Sequence, residues 1–552
     1  MAIERDQRIT QPAARFFEEY ERALEVLRAE ISFHTGDQAE AHHAALWLLS
    51  KLFFLCFLQC RRWPDGNPHF LTRFWHRYRR SGCDKDSFVG VWLDRLLAKT
   101  GGTYEFLDLR DRPRIPVTLQ DLLEHVPALG SGLFLDGPCS QLDPRAVSDA
   151  SFEQVLGVLD KFNYTLQDEF APHQDLAVDP GMVGAAYERL VNLSQVEDQQ
   201  PHSGVFFTPR VEIDLMCRLS LVDWLANHLG EDHKPLLYEV VFASDANRQE
   251  RADTALAEQD LTSPLCDLLE SVTVVDPACG SGSFLVGMLN VLEDLWARAD
   301  TRHGSRKASA DRKLEIVARN LFGVDVMPLA VEISRMRLWL QLYAAASKDL
   351  LQSGSNASLP NLSLRIRCGD SLVPQLEGVE LTLGRSRELI PTDWAGRIAR
   401  WSREKDLFFQ NDPRCSYRGV AQILNAERTI LFDLVDLRMK AIEQMGQSRG
   451  QTRQTGLQQA RGAQRVLYSA EVAPFAWDSA FIEVFGQGRK GFDLVIGNPP
   501  YLRQELIDDP RRPVGRERSA GVRIYKDQLA RTVYSVWPAT FGYDLRDARA
   551  RR

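Results

Sequence analysis

Four short segments of the sequence carry residue types that could do chemistry together. The first is Asp276-Pro277-Ala278-Cys279-Gly280-Ser281-Gly282-Ser283-Phe284. Its two glycines allow a tight turn and a close approach of backbone to a ligand, where a Cβ would collide. No Gly-Lys-Ser/Thr follows, which disfavours a phosphate-binding P-loop. A ligand-free strand-to-helix turn is the plainer reading. The second is Asp325, about 50 residues on, an acid that could accept from both ribose hydroxyls of a nucleoside cofactor or simply cap a helix. The third is Gly369-Asp370-Ser371-Leu372, where the carboxylate could accept from an exocyclic adenine amine or again serve as a cap. The fourth is Asn498-Pro499-Pro500-Tyr501. Two prolines stiffen the backbone and remove two donors. What remains is the Asn498 side-chain oxygen and the Pro499 carbonyl, two acceptors able to grip one amino group. Tyr501 then offers an aromatic face to a base. A plain proline-rich turn is the alternative.

The elements that must position these segments follow from the local pattern. Ser271–Val275, Leu321–Val324, Leu364–Cys368 and Phe492–Ile496 are short apolar or alternating runs. Each is followed by an acidic or amide residue, and Phe284–Leu295 and Pro328–Leu342 have helical patterns. From about residue 200, strands alternating with helices predict a parallel, doubly wound sheet. Ligands in such sheets bind at the carboxyl edge, where all four segments fall. About 120 residues separate the third strand from the fourth, far beyond an ordinary connection. Arg397–Phe409 and Val420–Met445 should be helical there, and Gly446–Gly462, rich in Gln, Gly, Arg and Thr, should be a flexible surface segment.

Residues 1 to about 195 read as mostly helical. Phe16, Phe17, Tyr20, Leu24, Val26, Leu27 and Ile31 follow helical spacing. Ala44–Cys60 is apolar nearly all round and predicts a central core helix, being too short and too polar for a membrane span. Gly130-Ser131-Gly132 marks a turn, and Pro180-Gly181 opens a further helix.

The chain has 552 residues, 44% hydrophobic and 26% charged. That is ordinary globular composition, which excludes a wholly disordered or collagen-like chain. Nine cysteines without a CxxC pair or zinc spacing fit reduced thiols in a cytoplasmic protein with no metal. The net charge of −8 is unevenly spread. Residues 385–465 carry 15 Lys/Arg against 9 Asp/Glu, a net of +6, and residues 501–552 carry 12 against 7, a net of +5. Residues 466–500 carry −2, which leaves −17 on residues 1–384. The later part is the one suited to a polyanion.

Together the four motifs resemble the gamma group of N6-adenine-specific DNA methyltransferases. A further segment, Gly204-Val205-Phe206-Phe207-Thr208-Pro209-Arg210, precedes the glycine loop as that group requires. Leu48–Asn67, Gly130–Phe134, Phe162–Thr165 and Val178–Asn192 look like the helical region of type IIG restriction–modification enzymes and of the BREX phage-defence methylases. The stretches from Phe475-Ala476-Trp477 to Glu483-Val484-Phe485 and from Tyr501 to Glu505 also fit these enzymes.

The resemblance implies a Rossmann-like α/β core, dependent on S-adenosyl-L-methionine, with a mainly α-helical domain ahead of it. The expected parts are a helical domain at 1–195, the cofactor-binding half of the core at 196–380, a basic helical insertion at 381–470, and the catalytic strand and loop at 471–552. It implies that Thr208 lies at the methionine end of the cofactor. Asp276, Ala278, Gly280 and Gly282 would line it, Asp325 would hold its ribose and Asp370 its adenine amine. Asn498, Pro499, Pro500 and Tyr501 would be catalytic. Double-stranded DNA is the implied partner, with no membrane.

Two departures bear on the activity. No Pro-Asp…Asp/Glu-x-Lys nuclease motif is found, so cleavage is not expected. The chain also stops 51 residues after Tyr501, where that group has further strands and a target-recognition domain. This predicts an incomplete, C-terminally truncated sheet, completed by a separate chain. The expected function is methylation of adenine N6 in DNA within a restriction–modification or phage-defence system. The alternatives are an inactive remnant, a cofactor- or DNA-binding subunit without transfer activity, and a methyltransferase acting on RNA or protein.

Overall fold

The computed structural model describes residues 2–101, 116–127, 129, 133, 143, 145–166, 177–193, 208–303, 307–346, 362–373, 375–382, 394–409, 412, 414–417, 420–444, 450–469, 475–485, 491–501, 507 and 518–536. The turn at 130–132, the aromatic residues 206 and 207, and residues 502–505 lie outside these. The chain forms two compact units interleaved in sequence. The first holds residues 1–269, 280–317 and 332–362, and the second holds 270–279, 318–331 and 363–552.

The first unit is mainly helical. Its helices are α1 (Ala2–Thr35), α2 (Gln38–Cys60), α3 (Phe70–Arg80), α4 (Asp94–Gly101), α5 (Val117–Glu124), α6 (Asp149–Leu159) and α7 (Pro180–Leu193). A two-residue parallel pair, β1 (Asn163–Tyr164) and β2 (Ala177–Val178), precedes α7. Then come α8 (Arg210–Leu229), α9 (Lys234–Phe242), α10 (Ala246–Glu258) and α11 (Thr262–Ser271). Most of α12 (Ser283–His303), α13 (Ser309–Arg319) and α14 (Pro328–Ala345) also belongs here.

The helical spacing in α1 does what amphipathicity requires: Phe16, Tyr20, Leu24, Leu27 and Ile31 are all buried. Asp37 starts α2 by accepting from the Ala39 and Glu40 amides at 2.8 and 3.1 Å. Every residue of α2 from Ala44 to Gln59 is buried, which explains why its sequence is apolar all round. Among the described residues it is the one helix long and apolar enough to cross a membrane, and 89% of that stretch is buried inside the protein. Phe54 meets Trp339 edge-on at 5.5 Å. Arg61 donates to the Ala344 and Ala346 carbonyls at 3.0 Å and so ends α2 on the C-terminus of α14. Strands alternating with helices were expected from about residue 200, the first of them at Ser271–Val275, and α8 to α11 precede it. Their apolar residues recur at helical spacing.

The second unit is built on four parallel strands, β3 (Val274–Asp276), β4 (Leu321–Asp325), β5 (Ile366–Cys368) and β8 (Leu494–Val495). A small hairpin, β6 (Gln375–Leu376) and β7 (Val379–Glu380), follows β5. The sheet order is β5-β4-β3-β8. Chain order therefore runs outward from β3 to β5 and returns to the other side of β3, a reversal of the kind that opens a crevice at the carboxyl edge. Val275, Phe322 and Val324 pack with Phe475, Ala480, Phe481 and Val484.

The long connection forms helices α15 (Trp394–Phe409), α16 (Val420–Glu443) and α17 (Gly450–Ser469), then short α18 (Trp477–Ala480) and α19 (Ile482–Phe485). The last described helix is α20 (Arg518–Val536). The first two agree with the pattern. The third corrects it, because residues 450–462 are helical and not a flexible segment. Gln, Arg and Ala are good helix formers, and Ala460, Ala463 and Leu467 are buried against Leu431 and Val435 of α16.

Buried ion pairs tie these helices to the sheet. Arg367 on β5 donates to Glu427 of α16 at 2.8 Å. Arg365 pairs with Glu483 of α19, which also accepts from Lys405 at 2.8 Å. Burial pushes the Lys405 ammonium below its usual pKa despite Glu483 and Glu427. Burial also acts to raise Glu483, but Lys405 and Arg365 outweigh it and hold the carboxyl below the usual range. Glu427 is 0% exposed. Its removal leaves Arg367 charged and buried, so Glu427→Ala should lower stability by about 3–5 kcal/mol. A urea denaturation midpoint unchanged by this substitution would show that the pair carries no such weight.

Candidate active site

The four chemical segments end four adjacent strands. Asp276 lies opposite Gly323 in the β3–β4 register, and Asp325 opposite Cys368 in the β4–β5 register. The Cys279 amide donates to the Val324 carbonyl at 2.9 Å, and the Gly369 amide to the Asp325 carbonyl at 2.9 Å. Each strand end is thus stitched to its neighbour, and the three carboxylates fall along one edge.

The fourth strand is fixed at both ends. Asp493 Oδ2 accepts from the Thr273 amide and hydroxyl, both at 2.8 Å. At the other end the Ile496 amide donates to the Val275 carbonyl at 3.0 Å. A Cβ built on Gly497 would lie 2.4 Å from Asp276 Oδ1. Only glycine lets the turn before Asn498 pass this close to the buried Asp276. Asn498 is half-buried, Pro499 and Pro500 are exposed, and the Tyr501 side chain is 68% exposed.

The carboxylates also shape the backbone around them. Asp276 Oδ1 accepts from the Ala278 amide at 3.1 Å, and Asp325 Oδ1 from the Met327 amide at 2.8 Å, just ahead of α14. Asp370 Oδ1 accepts from the Leu372 and Val373 amides at 2.9 and 3.0 Å. Both sets are turn bonds and not helix caps, since α14 begins only at Pro328 and no described helix directly follows Asp370. They do not exclude a ligand, since a carboxylate offers about four acceptor positions. Sequence reasoning missed Tyr525 of α20, whose hydroxyl donates to Asp370 Oδ2 at 2.9 Å. Nothing local could have found a contact across 155 residues. It also passed over Asp493, visible in the sequence only as an acid at the start of a strand.

Asp276, Ala278, Asp325, Asp370 and Asn498 to Tyr501 belong to the second unit. Thr208, Gly280 and Gly282 belong to the first. Thr208 is half-buried just ahead of α8. Gly280 and Gly282 have φ of +52° and +83°, and α12 begins at Ser283 directly after them.

Residues 319–530 match the Eco57I restriction-modification methylase family, and residues 250–380 match the MmeI DNA-methyltransferase domain. The two matched stretches together span residues 250–530. The chain is 23% identical over 494 residues to the "Putative type II restriction enzyme and methyltransferase" of Methanocaldococcus jannaschii, covering 83% of this chain and 40% of that protein. It is 30% identical over 106 residues to the adenine-specific methyltransferase PglX of Streptomyces coelicolor, covering 19% of this chain and 8% of that one. A solved structure of the Type IIL restriction-modification enzyme MmeI in complex with DNA shares 15% identity at a TM-score of 0.37, covering 64% of this chain and 40% of that chain. The chain therefore spans less than half the length of these curated relatives.

A Cβ at position 282 would lie 2.4 Å from Ser334 Oγ and 3.1 Å from Ser334 Cα, at a φ that L residues rarely adopt. Gly282→Ala should cost about 1–3 kcal/mol. The measurement is the thermal midpoint of the purified chain. An alanine variant that melts with the wild type would contradict the loop conformation described.

Proposed function

We propose that this chain transfers a methyl group from S-adenosyl-L-methionine to N6 of adenine in double-stranded DNA, within a restriction–modification or phage-defence system. The observation that carries the reading is the placement of Asn498-Pro499-Pro500-Tyr501. The segment follows the strand beside β3, held against Asp276 at Gly497, with an exposed aromatic ring at its end. The matched families supply methyl transfer and DNA, and the PglX relative supplies adenine.

The residues fit the cofactor. Its ribose hydroxyls and adenine amine are donors, and the sheet edge carries three carboxylates, a group type that accepts such bonds. In this reading the core is Rossmann-like. Asp325 holds the ribose and Asp370 the adenine amine. Asp276, Ala278, Gly280 and Gly282 line the cofactor, and Thr208 lies at its methionine end. When bound, the cofactor supplies an electrophilic methyl on a sulfonium centre.

The target base is extruded from the duplex and stacks on Tyr501. The Asn498 side-chain oxygen and the Pro499 carbonyl accept the two N6 hydrogens. Those bonds draw electron density onto nitrogen and aim its lone pair. No strong base is needed before transfer, so positioning and dipole alignment supply most of the acceleration. The sulfonium electron pair stays with the departing neutral thioether, and the surplus N6 proton passes to water afterwards. The basic stretches at 385–465 and 501–552, net +6 and +5, suit the phosphate backbone.

Asn498→Ala should lower methyl transfer to unmethylated DNA by about a hundredfold or more with cofactor affinity retained. Asp325→Ala should instead weaken cofactor binding by about tenfold or more, since it removes hydrogen bonds to a charged acceptor. Tritiated-methyl transfer and calorimetry read the two separately. Wild-type transfer by Asn498→Ala, or unchanged affinity in Asp325→Ala, would remove the corresponding role.

A further inference from the structure

The glycine-rich loop is gripped by two charged side chains that none of the motifs contains. Ser281, at the centre of the loop, is buried. Its amide donates to Glu188 Oε1 of α7 at 3.3 Å. Its carbonyl and its hydroxyl each accept from Arg337 Nη1 of α14 at 2.9 Å, and the same nitrogen reaches Ser283 Oγ at 2.9 Å. The fit is close from both sides. A Cβ on Gly184 of α7 would lie 2.8 Å from Ser281 Oγ and 3.1 Å from Arg337 Nη1. Gly282 meets Ser334 of α14 equally tightly. All of these residues belong to the first unit.

Arg337 is itself buried. Burying a guanidinium is costly unless its hydrogen bonds are made, and packing two helices would need only apolar residues. Here the guanidinium is directed at one turn of backbone and its two hydroxyls. A loop with two left-handed glycines is inherently loose, and fixing each residue costs about 1–2 kcal/mol. If the protein fixes the loop beforehand, a ligand need not supply that ordering.

We propose that Glu188 and Arg337 are positioning residues that set the glycine loop in its ligand-receiving conformation, so that α7 of the helical region takes part in cofactor binding. The proposal rests on the methyltransferase reading above. Neither residue touches the reacting atoms, so the effect falls on affinity and not on the chemical step.

The test uses the full chain in four variants: Arg337→Met, Arg337→Lys, Glu188→Ala and Glu188→Gln. In the absence of cofactor, hydrogen exchange at residues 279–286 should quicken by about tenfold or more in Arg337→Met and Glu188→Ala, with α2 still protected. Glu188→Gln keeps an acceptor for the Ser281 amide and should restore protection. Arg337→Lys, a point donor in place of a fork, should restore it only in part. S-adenosyl-L-methionine affinity by calorimetry should fall by about tenfold or more in the two disrupting variants, while the rate at saturating cofactor stays near wild type. If Arg337→Met fails to fold, the Glu188→Ala and Glu188→Gln pair decides. Unchanged loop exchange and affinity in folded variants would overturn the proposal alone. A wild-type chain without affinity for S-adenosyl-L-methionine would overturn it together with the functional reading.

Discussion

A side chain at residue 497 would collide with Asp276. The Cβ of any other residue there would sit 2.4 Å from Asp276 Oδ1. Because Gly497 has none, the strand that precedes Asn498 can lie directly beside β3, with its turn against the acid that ends β3. The Asp493–Thr273 contacts fix the same strand at its start. Between these two points its register has no freedom, since a one-residue slip would turn every side chain to the opposite face. The position of Asn498 relative to Asp276, and through the sheet to Asp325 and Asp370, follows from that.

The strand ends were legible because each couples a short β-branched or alternating run to a polar residue that halts it. That local signal survives folding. The helical N-terminal region was legible for a similar reason, and α2 most of all, since a helix buried on every side must be apolar on every side. For Asp325 and Asp370 the sequence left two readings open, cap or ligand. Neither acid caps a helix: each closes a tight turn with its own following backbone, and the ligand reading remains a proposal.

What was not legible depends on contacts between distant positions. Tyr525 on Asp370, Arg367 on Glu427, and Glu188 and Arg337 on Ser281 leave no mark in local periodicity. Residues 450–462 misled for the opposite reason. Their Gly, Gln and Thr content suggests a surface segment, but the buried face of α17 is set by small residues such as Ala460 and Ala463. Composition registers those as ordinary. The Arg367–Glu427 pair adds a functional consequence. It joins α16 to the strand that carries Asp370, so the basic connection and the carboxyl edge of the sheet are held as one piece by charges that cannot be removed singly.

The central claim is that this sheet edge methylates adenine. Its most direct test is to incubate the chain with trideuteromethyl S-adenosyl-L-methionine and unmethylated duplex DNA, digest the DNA to nucleosides and weigh them by mass spectrometry. Labelled N6-methyldeoxyadenosine is the predicted product. Label on cytosine, label found only in RNA or protein offered in parallel, or no labelled nucleoside at all would contradict the account.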